Sequence, residues 1–409
     1  MTTQAPRRFL LRALAPILAA LALTPLAATA QNPIRIGEIN SYKAQPVFLE
    51  AYRHGMNLAL QEANAAGGVN GRRFELITRD DNANPGEAVR LAEELLSRER
   101  VDILAGTFLS HVGLAVADFA RQRQVFFLAS EALTDKITWE NGNPYTFRLR
   151  SSTYMLAASL VDEAAKLGKK RWAIVYPNYE YGQSAVQTFK ALLKAKQPDV
   201  EFVVEQAPPL GKVEAGAVVQ AIADAKPDAL FNVLFGPDLA RLVREGYNRG
   251  LWDGLPVVSM LSGEPEYLDP LKGEAPEGWI ATGYPWYSID TPAHKAFVDA
   301  YQKLTNQQGL RLGSVVGYNT IKSIVEAVRR AGGKTDTDSM VKAFRGLVVE
   351  TPDGPITYRE LDQQSTMGVY VGRIARKDGR GVMVDSVYIP GERLLPPDDE
   401  VRQRRPGAK

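Results

Sequence analysis

The sequence contains no cysteine. Disulfides, thiolate metal sites, cysteine nucleophiles and lipid attachment through a lipobox cysteine are excluded together. Histidine is scarce: His54, His111 and His294 are the whole complement. None is followed by a metal-ligating residue three or four positions on, and H-E-x-x-H is absent, so no metal is expected. Charge of one sign is missing too. With 49 basic and 47 acidic residues the formal net charge is +2, which provides no field for nucleic acid. The nucleotide-cradling patterns G-x-x-x-x-G-K-[ST] and G-x-G-x-x-G do not occur, so no cofactor is expected. No long apolar run follows the N-terminus, and the mature chain is expected to stay out of the membrane.

What is present begins with a leader. MTTQAPRRFLLR is basic, ALAPILAALALTPLA is apolar but broken by Pro16 and Pro25, and Ala28-Thr29-Ala30 is a small-x-small end. This order reads as a secretory signal peptide over 1–30, cut before Gln31, and hence as an exported protein.

Beyond it, strand-like and helix-like runs alternate. I34RIGEI, F74ELITRD, V101DILAGT, V125FFLAS, W172AIVY, F202VVEQ, A229LFNVLF and P256VVSML are apolar and rich in β-branched residues. Between them lie segments with apolar residues at helical spacing, and Asn84-Pro85 opens one with a capping residue followed by proline. Repeated βα units imply α/β architecture with parallel sheets, and the strands are too many for one sheet of usual size. Two α/β lobes are the simpler answer. S262GEPEYLDPLKGEAPEG reads as a surface loop with a short helix, and P396PDDEVRQRRPGAK as a polar C-terminal tail, 396–409, that frays.

Catalytic patterns are weak. Ser110-His111 lies in AGTFLSHVG, where a strand gives way to a helix, but G-x-S-x-G is lacking. Adjacent side chains diverge in direction and make a poor nucleophile–base pair. Ser339-Met-Val-Lys342 fits S-x-x-K without its companion motifs. No enzyme activity is expected. Ser110 reads instead as a holder: free N–H groups and the positive end of a helix dipole, at the carboxyl edge of a parallel strand, suit a ligand carboxylate. The alternative is a serine that only caps its helix. Tyr42, Phe108, Tyr284 and Trp286 are aromatic candidates for lining a cleft, or for packing a core.

I34RIGEINS, E62ANAAGGVNGRRFELITRDDNANPGEAV, V101DILAGTFLS, N143PYTFRLRSS, W172AIVYPNYEYG and P227DALFNVLFGPD together resemble the leucine/isoleucine/valine-binding protein family, the type I periplasmic binding proteins of ABC importers. The resemblance covers residues 32–390. It implies two Rossmann-like lobes joined by three hinge strands, with lobe one at 31–149 plus 284–366 and lobe two at 150–283 plus 367–395. It implies capture of a small solute in the periplasm and delivery to a membrane permease. The chain is expected to act as a monomer.

Carried over residue by residue, Ser110 matches the serine that binds the ligand carboxylate. Ser130 falls near a second hydroxyl for the same head group. Tyr181 in YEYG matches a cleft tyrosine, Phe48 an aromatic of the side-chain pocket, and Phe235 another aromatic position. One departure bears on the ligand. The position of the acid that meets a ligand ammonium falls near Leu261, with Glu264 the nearby substitute. An ammonium with no acid would be a costly buried charge. A branched-chain or other hydrophobic amino acid is thus the family expectation, and an aromatic or aliphatic carboxylate without an amino group the alternative. A sensing subunit for a membrane receptor is an alternative of another class.

Overall fold

The first strand, β1 (Ile34–Asn40), is an inner strand of a parallel sheet, paired on both sides, and its apolar residues are covered on both faces. The computed structural model describes residues 1–4 and 32–407, so the expected signal peptide lies, after Gln4, outside the described residues. After β1 come α1 (Pro46–Ala65), β2 (Phe74–Asp80), α2 (Pro85–Ser97), β3 (Ile103–Gly106), α3 (Ser110–Arg123), β4 (Phe127–Ala129) and β5 (Thr146–Arg148). The strands pair in the order β2-β1-β3-β4-β5, all parallel. The Asn84 side chain accepts the Glu87 N–H at 3.0 Å and starts α2 as its Asn-Pro pair predicts.

A second series follows: α4 (Thr153–Lys166), β6 (Arg171–Val175), α5 (Glu180–Lys196), β7 (Glu201–Gln206), α6 (Ala215–Ala225), β8 (Ala229–Asn232), α7 (Gly236–Asn248), β9 (Val257–Gly263), α8 (Pro265–Leu268) and β10 (Ile280–Gly283). The chain then returns to pack α9 (Pro292–Thr305) and α10 (Leu312–Arg330) on α1, with α11 (Thr337–Phe344) and a hairpin of β11 (Val348–Thr351) and β12 (Gly354–Thr357) beside α10. Finally β13 (Val369–Lys377) and β14 (Arg380–Ile389) join the second sheet antiparallel, giving the order β14-β13-β10-β9-β8-β6-β7. These are two Rossmann-like lobes, each with its own sheet.

Two of the chain segments that cross between the sheets are bonded side by side. The Arg148 N–H donates to Gln363 O at 3.0 Å, Ser365 N–H to Arg148 O at 2.9 Å, and Ser151 Oγ to Met367 O at 2.6 Å. Buried Arg148 also donates to the carbonyls of Leu133 and Thr134 and to Thr138 Oγ1, which fixes the loop after β4.

Two sequence expectations fail here. The start of the loop expected at the surface, residues 262–268, is buried. Its Glu266 carboxylate accepts the Gly313 N–H at 2.7 Å, at the positive end of α10. The tail does not fray after Pro396: α12 (Asp398–Arg404) forms, and Arg405 inserts its guanidinium against Thr138 O at 2.5 Å and Asn143 O at 3.1 Å. A cation that satisfies several carbonyls at once can be buried, which composition alone does not reveal.

Candidate functional site

Strand β3 ends at Gly106, and Thr107 turns the chain with φ of 69°, a left-handed conformation that β-branched residues rarely adopt. That turn delivers Phe108 and Ser110 to the mouth of α3. The N-cap of α3 is Leu109, with no side-chain cap bond. Ser110 Oγ accepts the Thr134 N–H at 3.2 Å and retains its own hydrogen to donate. The serine is therefore held by a neighbouring loop and does not cap its own helix. The first turn of α3 adds N–H groups without intrahelical acceptors.

Facing it are elements of the second series. Tyr179 is the N-cap residue of α5 and Tyr181 follows in its first turn, while Phe235 is the N-cap residue of α7. Tyr267 comes from α8. Phe235 is the hub: its ring centroid lies 6.4 Å from Phe108, 5.8 Å from Tyr181 and 5.8 Å from Tyr267. With Leu133 and Leu261 these rings line a tight chamber of about 10 Å³, room for about one water. The hydroxyls of Tyr181 and Tyr267 have no hydrogen-bond partner among the described residues. Leu261 sits at φ of 64°, so each side of the chamber has one non-glycine residue held in left-handed backbone. At the rim, Glu180 accepts from Thr134 Oγ1 at 2.7 Å and pairs with Lys136 at 3.0 Å.

Charge enters on one wall. Arg150 is buried over the Phe48 ring, 5.2 Å from its centroid. Its guanidinium meets Glu131 at 3.5 Å and bonds Glu264 on the other side. Burial pushes both carboxyls up against the pull of Arg150, Glu264 to about 8. Burial works against the Arg150 charge as well, but Glu264 and Glu131 beside it push its proton affinity up on balance. Two acids share one base, and each keeps one oxygen, Glu131 Oε1 and Glu264 Oε2, without a partner among the described residues. Glu131 and Ser110 line the same chamber.

Of the residues singled out from sequence, Phe108, Ser110, Tyr181 and Phe235 line this chamber. Phe48 stands behind it, 5.1 Å from Phe108, and Glu264 reaches it through Arg150. Others lie elsewhere. Ser130 Oγ bonds Tyr52 Oη at 2.8 Å, and Tyr42 donates to Glu38 Oε2 at 2.7 Å. Tyr284 lines a separate cavity and bonds His294 at 2.7 Å, while Trp286 packs on Tyr287. His111 turns its ring onto Tyr179 at 5.6 Å, with no hydrogen bond to Ser110. Sequence reasoning missed Glu131, Arg150, Tyr179 and Tyr267. The signal for the first two was a charged residue directly after a strand, in L128ASEA and F147RLRSS. Among the described residues no helix is long and apolar enough to cross a membrane.

This geometry has relatives. The family model described as periplasmic binding protein matches residues 33–380. A Leu/Ile/Val-binding protein homolog 6 from Brucella melitensis is 26% identical over 88% of this chain and 93% of its own length. The leucine-, isoleucine-, valine-, threonine- and alanine-binding protein of Pseudomonas aeruginosa is 24% identical over 75% of this chain and 80% of its own. A solute-binding protein of an ABC transporter from Rhodopseudomonas palustris, solved with 3,4-dihydroxybenzoic acid, is 27% identical with a TM-score of 0.77, covering 87% of this chain and 97% of that one. The chain belongs to the periplasmic binding protein family and is a small-ligand binding protein of the ABC-importer kind.

Proposed function

We propose that this protein captures a hydrophobic amino acid in the periplasm, after removal of residues 1–30, and hands it unchanged to a membrane permease. Lobe one comprises 31–149 and 284–366, lobe two 150–283 and 367–395. The ligand lies between them, where Ser110 and the α3 N-terminus come from one lobe and Tyr181, Phe235 and Tyr267 from the other. Its carboxylate takes the Ser110 hydroxyl hydrogen and the free N–H groups of α3. Its side chain goes between the aromatic rings, which part to admit it. Its ammonium meets Glu131. The observation that carries this reading is the unpartnered, buried oxygen of Glu131 in the same chamber as Ser110. Glu131 answers the departure noted in the sequence, where no acid stood at the position near Leu261. The bound protein works as a monomer and does no chemistry: Ser110 bonds a backbone N–H and no base.

A second reading has its own support. Arg150 already supplies a cation to both acids, and the chamber is lined by aromatic rings, which suits an aromatic carboxylate without an amine. The relative solved with dihydroxybenzoic acid points the same way. Calorimetric titration with leucine, phenylalanine, benzoate and 4-hydroxybenzoate separates the two. Tight binding of an amino acid with none of either benzoate supports the first. Tight binding of a benzoate with no amino acid response contradicts it.

A further inference from the structure

A second cavity, of about 30 Å³, shares Arg150 with the aromatic chamber as a common wall. Ser151, Met367 and Gly368 of the two bonded crossing segments line it, so it lies at the hinge. Most of its polar groups are engaged. Tyr284 bonds His294, Tyr388 Oη accepts the Gly368 N–H at 3.1 Å, and Tyr370 donates to Asp353 at 3.2 Å. Asn319, on α10, is the exception. It is 1% exposed, and neither Nδ2 nor Oδ1 has a partner among the described residues. The free Oε2 of Glu264 belongs to a residue lining the same cavity. Buried amides are almost always bonded, and a leucine of similar size would fill the same space without the penalty.

We propose that this hinge cavity is a distal compartment of the solute site, and that it receives a neutral hydroxyl or carboxamide at the far end of the ligand. The inference rests on the chamber being the solute site. Asn319 both donates and accepts, so it matches a group that does the same. Glu264, Asp353 and Arg150 line the cavity together, so a charge of either sign would meet both attraction and repulsion there, and the neutral amide of Asn319 suits a neutral partner. Arg150, held between Glu131 and Glu264, is the partition between the two spaces, and the ligand must displace it to pass.

The test uses two matched pairs that differ only in a far hydroxyl: tyrosine against phenylalanine, and 3-(4-hydroxyphenyl)propanoate against 3-phenylpropanoate. Affinities are measured by calorimetry for wild type, Asn319→Leu and Asn319→Ala. Wild type is expected to prefer the hydroxylated member of the pair it binds by about tenfold, the worth of one good hydrogen bond. Both variants are expected to bring that ratio to near one. Ligand-free Asn319→Leu is expected to melt no lower than wild type, because it removes unbonded buried atoms. A wild-type ratio near one, or a ratio that survives both substitutions, overturns the distal compartment. Ser110→Ala is run alongside: if it weakens all ligands while Asn319 has no effect, the chamber stands and only the distal compartment falls.

Discussion

Replacing Ser110 by alanine perturbs two things that can be measured apart. In the free protein, Ser110 Oγ accepts the buried Thr134 N–H at 3.2 Å, and alanine leaves that donor without its acceptor. An unsatisfied buried group costs about 1–3 kcal/mol, so the melting temperature should fall by several degrees at most. In the bound protein, the ligand carboxylate loses a charge-assisted hydrogen bond worth about 1.5–3 kcal/mol, or roughly 10- to 150-fold in Kd. The α3 N–H groups remain, so binding should weaken without vanishing. Calorimetry on folded protein below its transition reads the second effect without the first, and Ser110→Thr should restore most of the affinity. An unchanged Kd with a lowered melting temperature would refute the reasoning: Ser110 would then be a loop-holding serine only.

Four further outcomes are expected. Glu131→Gln should weaken an amino-acid ligand by at least about tenfold and leave an amine-free carboxylate little affected, as measured by paired titrations. Burial raises the carboxyl of Glu131 and an arriving ammonium lowers it, so binding should release protons and its heat should vary with buffer ionisation enthalpy; equal heats in all buffers across the pH range would count against it. Buried Glu38, bonded by Asn40 and Tyr42, is pushed up to about 8 by desolvation. Its folded-state value is raised, so its contribution is complete below the ordinary carboxylate range and is lost as pH climbs through about 8. Stability should decline over that window by up to about 1.4 kcal/mol per pH unit, read as a falling melting temperature, and less in Glu38→Gln. Arg405→Ala should loosen α12 and raise its amide exchange, since the guanidinium is what ties it to Thr138 and Asn143.

The architecture was readable because βα alternation is written locally. Apolar strand runs, the Asn84-Pro85 start of α2 and the helical spacing of α10 each lie within a few residues, and the structure follows them. Ser110 was readable for the same reason, since it sits where a strand exit meets a helix start, whereas Tyr181 came from the family resemblance. The charged wall was not. Arg150 and Glu264 are 114 positions apart, and nothing local distinguishes an acid drawn to a distant arginine from one left in solvent. Glu266 and Arg405 read as surface charge and are both buried, each because a partner from another part of the chain makes burial affordable. Ser130 illustrates the opposite error: a hydroxyl in a plausible place turns out to be engaged by Tyr52.

The central claim is that a small carboxylate is held between two lobes by the Ser110 hydroxyl and the α3 amide groups. A crystal structure of the protein loaded with the tightest-binding ligand from the titration panel tests it directly. The account predicts the carboxylate within hydrogen-bonding distance of Ser110 Oγ and the first N–H groups of α3, with the ligand body against Phe235. A ligand whose carboxylate sits away from α3, with Ser110 still bonded only to Thr134, would contradict it.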